Sequence, residues 1–158
     1  MGGNDAQRLY FAYGSNLSTE QMQERCPGAQ ALGMGLLQGW QWIINQRGYA
    51  NIVEAGARDK VVYGLMYSLP PDDEERLDGF EGVPHAYTKE QCWIKWQRAS
   101  DHGGSEGAQA LVYVDRRRTA VGPPRDEYVG RMERAVTDAV DNWGMPAEYA
   151  EAMLKCLY

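Results

Sequence analysis

Apolar and polar positions along the chain follow three patterns, and glycine and proline separate them. Residues 8–13 (Arg8-Leu9-Tyr10-Phe11-Ala12-Tyr13) are β-prone and stop at Gly14, which predicts a short, mostly buried strand. Ser18-Thr19-Glu20-Gln21 then fits a capping box, with Ser18 as N-cap and Gln21 three residues on. A brief helix should run to about Arg25, ended by Cys26-Pro27-Gly28. From Gly33 to Glu54 comes a glycine-punctuated aromatic stretch. In it Trp40, Trp42 and Ile44 alternate with Gln41 and Ile43, which predicts a bent, half-buried strand. Val61-Val62-Tyr63-Gly64-Leu65-Met66-Tyr67 reads as the central strand.

Pro70-Pro71 opens an acidic segment, Asp72-Asp73-Glu74-Glu75, whose charges favour a helix start by complementing its dipole. Gly79 is expected to keep that helix short. Residues 87–97 alternate again, with Cys92, Ile94 and Trp96 on one face and Trp93 and Lys95 on the other. Residues 98–109 read as a polar, mobile loop, and Ala110 to Val114 as a further strand. Tyr128, Met132, Ala135, Val136, Ala139, Val140 and Trp143 recur at three and four, the mark of a helix with one buried stripe. Gly144-Met145-Pro146 breaks it, and Pro146, at an N1-like place, starts a final helix to about Leu157. Strands first, with helices interspersed and last, predict an α+β fold. The expectation is one domain over residues 8–158: a twisted mixed sheet curling into a small barrel, with flanking helices and a C-terminal helical pair. Residues 1–7 are expected to form a disordered N-terminal segment.

Composition narrows the function classes. A chain of 158 residues with 44% apolar and 24% charged positions is an ordinary globular sequence. Its net charge of −6 argues against a partner that is tracked by its phosphates, so no nucleic acid is expected. The basic run Arg116-Arg117-Arg118 reads as a solvated strand end. No apolar run approaches the roughly 18 residues that cross a membrane, and Met1 to Gln7 has neither the basic start nor the apolar core of a signal peptide. Three widely spaced cysteines (Cys26, Cys92, Cys156) make no disulfide framework, and with only His85 and His102 besides, no metal site is expected. These features point to a cytoplasmic protein without a membrane partner.

Two segments could carry chemistry. In the turn Tyr13-Gly14-Ser15-Asn16-Leu17, glycine allows a sharp bend, and N–H groups at a helix start can converge on an anion such as a carboxylate. An ordinary capped strand-to-helix turn has the same residues, and no Gly-Lys-Ser/Thr follows that would make it a phosphate loop. In Leu77-Asp78-Gly79-Phe80-Glu81-Gly82-Val83-Pro84, Glu81 lies between Phe80 and Val83. Partial burial there would raise its pKa towards the range useful for proton transfer; a surface glutamate in a tight turn is the plainer reading. Ten tyrosines are mostly packing residues, and neither Tyr87 nor Tyr128 stands out by chemistry alone.

Together these segments resemble the γ-glutamylcyclotransferase family. The resemblance rests on Phe11-Ala12-Tyr13-Gly14-Ser15-Asn16-Leu17, Arg25-Cys26-Pro27, Ala50-Asn51-Ile52-Val53 and Val62 to Tyr67. It continues through Leu77-Asp78 and Glu81-Gly82-Val83-Pro84 to Tyr87, then Pro124 to Tyr128 and Trp143 to Tyr149. It implies release of 5-oxoproline from a γ-glutamyl amide without a cofactor, with Glu81 as the proton relay. It also implies that amides from Gly14 to Leu17 hold the γ-glutamyl portion, that Tyr13 forms a pocket wall, and that Tyr87 and Tyr128 donate hydrogen bonds or shape the pocket. The leaving amine could be an amino acid or dipeptide, a polyamine, an ε-lysine or a protected biosynthetic intermediate. The polar insertion around Asp101–Gly107 belongs to no catalytic motif and could shape that side. A γ-glutamyl-metabolite binder without catalysis and a tryptophan-faced interaction domain are the readings from other classes, and a homodimer is compatible with the sequence.

Overall fold

The computed structural model describes residues 7–99 and 105–158, so the expectation for residues 1–7 and the centre of the 98–109 segment lie largely outside the described residues. Strand β1 (Arg8–Ala12) pairs antiparallel with β5 (Val61–Leu69), whose other edge pairs antiparallel with β2 (Gln30–Gln38). Strand β2 meets β6 (Thr88–Trp96), β6 pairs with β7 (Glu106–Val114), and β7 returns to β1 in parallel at Tyr10↔Leu111. The order β1-β5-β2-β6-β7 closes a five-stranded barrel. Helices α1 (Thr19–Arg25), α2 (Pro71–Phe80), α3 (Asp126–Trp143) and α4 (Ala147–Lys155) complete the α+β architecture that the sequence predicts.

The barrel is filled by the inward residues of its strands, among them Phe11, Met66, Ile94 and Val112, all fully buried. Each such side chain contributes roughly 1.5–3 kcal/mol of apolar burial. Gly64 permits the close approach of β1 and β5: a Cβ there would lie 2.7 Å from both the Ala12 carbonyl oxygen and the Phe11 ring. On α3, Tyr128, Met132, Ala135, Val136 and Ala139 form the buried stripe. The helix ends where Gly144 turns left-handed at φ 81°, and Met145 donates its N–H to the Ala139 carbonyl at 3.1 Å.

Four expectations change in detail. The stretch from Gly33 to Glu54 is not one bent strand: after β2 the chain forms a separate antiparallel hairpin, β3 (Trp40–Ile44) with β4 (Ala50–Glu54). Gly39 at φ 85° and Gly48 at φ 88° supply the reversals. The alternation missed this because Ile43 and Ile44 are both buried, one on each face of the hairpin. Helix α2 continues through Gly79 to Phe80. Strand β7 begins at Glu106, which shortens the predicted loop. Pro146 is the N-cap of α4 rather than its first residue.

The arginine run does follow a strand, but its members are committed. Arg116 pairs with Glu54 and Glu90, and Arg118 Nε donates to Asp115 Oδ2 at 2.6 Å. Arg117 and Arg118 both donate to the His85 carbonyl, at 2.7 and 2.8 Å. They thereby hold the segment that links Glu81 to Tyr87.

Candidate functional site

The first wall comes from the end of β1. Tyr13 and Gly14 lead into a 3-10 turn over Ser15–Leu17, closed by Leu17 N–H on the Gly14 carbonyl at 3.0 Å. Among the described residues the amides of Ser15 and Asn16 have no acceptor, so the turn keeps two donors for a ligand. Its side chains are tied in place. Asn16 donates to the Tyr10 hydroxyl at 3.1 Å, accepts from Gln21 Nε2 at 2.8 Å, and its carbonyl accepts from the Tyr67 hydroxyl at 2.7 Å. Ser15 Oγ accepts from Gln21 Nε2 at 2.8 Å and from Arg131 Nη2 at 3.2 Å. Ser18 is the N-cap of α1, as its spacing predicts, with Gln21 N–H donating to Ser18 Oγ at 3.1 Å. The Gln21 side chain, however, serves Ser15 and Asn16 instead of completing the capping box.

The second wall is the end of α2. Glu81 is its C-cap, with its N–H on the Leu77 carbonyl at 2.8 Å, and Gly82 at φ 66° turns the chain away. The Glu81 side chain is only 18% exposed, with Arg25 Nη1 3.9 Å from its Oε2. Burial pushes its carboxyl up to about 7, against the opposing pull of Arg25, then Arg131 and Arg47. An acid poised near neutrality can both accept and return a proton.

Tyrosines enclose the remaining sides. Tyr13 donates its hydroxyl to the Tyr113 carbonyl at 2.6 Å and accepts the Trp42 indole N–H on its own carbonyl at 2.9 Å. Tyr87 donates to the Ala50 carbonyl at 2.6 Å, so its hydroxyl hydrogen is committed to β4. Tyr128 packs edge-on against Tyr49, with ring centroids 5.1 Å apart. Gly14 keeps this wall uncrowded: a Cβ would stand 3.1 Å from both the Tyr128 hydroxyl and the Ala50 Cβ. Burial raises the hydroxyl pKa of Tyr13, Tyr87 and Tyr128, so all three stay protonated at neutral pH.

These groups surround one cavity of about 210 Å³, small against the usual range for drug-sized ligands and suited to an amino-acid-sized group. Tyr13, Gly14, Ser15, Asn16, Glu81, Tyr87 and Tyr128, all singled out from the sequence, line it together. Leu17 does not: its side chain is fully buried and its N–H closes the turn. The sequence reading missed Tyr10, Tyr49, Tyr113, Phe80 and three arginines, Arg25, Arg47 and Arg131. Only Arg25 carried a signal, as part of the quoted Arg25-Cys26-Pro27. Among the described residues no cluster of three or more His, Cys, Asp or Glu side chains could hold a metal ion, and no helix is long and apolar enough to cross a membrane.

A closed small barrel with a buried acid facing a strand-to-helix turn defines a protein of the γ-glutamyl cyclotransferase-like fold. The model of the family described as gamma-glutamyl cyclotransferase, AIG2-like, matches residues 10–130, and the chain belongs to that family. No curated protein sequence matches it. Among solved structures it is similar to an uncharacterized protein from Homo sapiens, at 25% identity and TM-score 0.76, covering 97% of this chain and 89% of that one. A gamma-glutamyl cyclotransferase matches at 24% identity and TM-score 0.76, over 96% and 88% of the two chains. A yeast gamma-glutamyl cyclotransferase described as specific to glutathione has the same fold at 13% identity, with TM-score 0.62 and 96% of each chain covered.

Proposed function

We propose that the protein is a cofactor-independent γ-glutamyl cyclotransferase that converts a γ-glutamyl amide into 5-oxoproline and the free amine. The observation that carries this reading is Glu81, the one acid among the described residues lining the cavity, held near neutrality by burial. In the proposed sequence Glu81, as carboxylate, takes a proton from the substrate's α-ammonium. The freed amine attacks the γ-carbonyl carbon, forms the ring C–N bond and pushes the carbonyl electrons onto oxygen. Collapse of that tetrahedral species breaks the bond to the leaving nitrogen, which receives the proton from Glu81. The excess proton on the ring nitrogen passes to the released amine, which departs as ammonium, so protons balance. An ammonium cannot attack and an unprotonated amide nitrogen leaves poorly, which is why one relay group serves both steps. Attack within one molecule needs a folded substrate, and a small, tyrosine-walled cavity favours that pose.

The Ser15 and Asn16 amides, backed by Arg131 through Ser15 Oγ, suit the α-carboxylate. Tyr13, Tyr87 and Tyr128 shape the walls, since two of their hydroxyls are already committed to backbone carbonyls. The test is to incubate the protein with γ-glutamyl amino acids, γ-glutamyl amines and glutathione, and to measure 5-oxoproline by mass spectrometry. Glu81→Gln should lower turnover by about 10²–10⁴-fold while the protein stays folded. Normal turnover by a folded Glu81→Gln protein would remove Glu81 from the mechanism.

A further inference from the structure

Three guanidinium groups line the cavity, and their partners differ. Arg131 is committed at every nitrogen: Nε donates to Gln21 Oε1 at 3.1 Å, Nη1 to Glu127 at 3.1 and 3.3 Å, and Nη2 to Ser15 Oγ. Glu127 also neutralises it. Arg47 lies over the Tyr49 ring, 5.1 Å from its centroid, and exerts the weakest pull of the three on Glu81. Arg25 lies over the Phe80 ring at 4.7 Å, and its only carboxylate neighbour among the described residues is Glu81, at 3.9 Å. That separation is beyond a hydrogen bond. The Arg25 guanidinium nitrogens have no hydrogen-bond partner among the described residues, which leaves them open for a planar, two-oxygen acceptor.

Position decides which acceptor that is. A γ-glutamyl substrate carries two kinds of nitrogen that Glu81 must reach, the α-nitrogen and the leaving nitrogen. When the leaving group is an α-amino acid, each nitrogen has a carboxylate two bonds away. The α-carboxylate is met by the Ser15–Asn16 turn, whose surroundings (Tyr10, Tyr13, Asn16) are buried. Arg25 lies beside the acid and over Phe80, which is 54% exposed and opens to solvent. A departing product must leave through an open side. Charge agrees: the γ-glutamyl portion is itself an ammonium and a carboxylate, and once Glu81 holds the α-ammonium's proton Arg25 has no anionic neighbour among the described residues.

Resting on the cyclotransferase reading, we infer that Arg25 binds the carboxylate of the departing α-amino acid and selects γ-glutamyl amino acids over γ-glutamyl amines. Arg25 is a specificity residue in this role. Its contact with the Phe80 ring keeps the guanidinium beside the acid, so the bound carboxylate would place the departing nitrogen within reach of the Glu81 proton. Polyamine conjugates lack the anion and bring a cation towards Arg25.

The deciding comparison uses γ-glutamyl-alanine and γ-glutamyl-ethylamide, which differ only in that carboxylate. The wild-type protein should prefer the alanine compound by about 10- to 100-fold in kcat/KM, the range for a hydrogen-bonded charge pair. Arg25→Gln should bring the ratio close to one, chiefly through a higher KM for γ-glutamyl-alanine. Arg25→Lys, which retains the charge without the fork, should keep an intermediate ratio. A wild-type ratio near one, or an equal loss on both substrates in a folded Arg25→Gln protein, would overturn the inference while leaving the cyclotransferase reading intact. The loss would be equal if Arg25 only tuned Glu81 or read the α-carboxylate. Absence of 5-oxoproline from both compounds with folded wild-type protein would overturn the activity itself, and this inference with it.

Discussion

At the scale of single residues, the buried acid has a cost that pH reveals. The Glu81 carboxyl holds its proton up to about pH 7 in the folded protein, against an ordinary value of 4.5. Between those values the native chain binds more protons than the unfolded chain, so stability falls as pH rises through the interval. The loss is complete above pH 7 and amounts to about 3 kcal/mol. Urea unfolding of Glu81→Gln should therefore match wild type near pH 4.5 and exceed it in stability by up to that amount near pH 8. Equal stability at both pH values would mean that the carboxyl is not desolvated. The same titration should set the acid limb of kcat/KM near pH 7. Residues 13–16 and Glu81 were legible in the sequence because turn chemistry and family resemblance both marked them. Arg47 and Arg131 were not. On a sequence, an arginine in a tight turn or on an exposed helix turn reads as a solvated surface charge, and only the fold brings these two to one cavity.

At the scale of elements, α1 has a role out of proportion to its seven residues. It carries Gln21, which fixes Ser15 and Asn16, and ends at Arg25 beside Glu81. Its start depends on Ser18 Oγ, the acceptor for Gln21 N–H. Ser18→Ala should cost about 1 kcal/mol in calorimetric or denaturant stability, and should raise KM because the turn loses its frame. Unchanged stability and KM would show that the tertiary contacts of the helix hold it without the cap. This helix and the long α3 were readable because caps and a 3.6-residue stripe are local signals. The β3–β4 hairpin was not, because adjacent buried Ile43 and Ile44 break the alternation and the neighbour that keeps Gly48 free of a side chain is Arg125, whose Cγ would lie 2.7 Å from a Cβ there. That neighbour is far away in sequence. The early start of β7 was hidden for a similar reason, since Glu106 and Gly107 owe their strand geometry to pairing with Trp96 and Lys95.

At the scale of the whole molecule, one seam of the barrel is short: β2 and β6 pair at Gly35↔Trp96 and Leu36↔Lys95, and Ala99 N–H on the Leu32 carbonyl at 2.9 Å continues the contact. Gly35 makes that seam possible: a Cβ would stand 2.7 Å from Ile94 Cγ2 and 3.1 Å from Trp96 Cβ. Gly35→Ala should lower stability by about 1–3 kcal/mol, read as a drop in Tm, by forcing the two strands apart. An unchanged Tm would mean that the seam adjusts freely. The opposite closure, β1 against β7, joins residues at either end of the barrel sequence, Tyr10 with Leu111. During synthesis the chain emerges from its N-terminus, so β1 and the Tyr13–Asn16 turn are made early and wait for their neighbours. Tyr13 lacks its Tyr113 acceptor until β7 exists, and Ser15 lacks Arg131 until α3 is under way. A ribosome-bound chain that has not reached Arg131 thus holds Glu81 without the enclosure that keeps its proton, and the pocket is completed only after strands β1 to β7 have all been made.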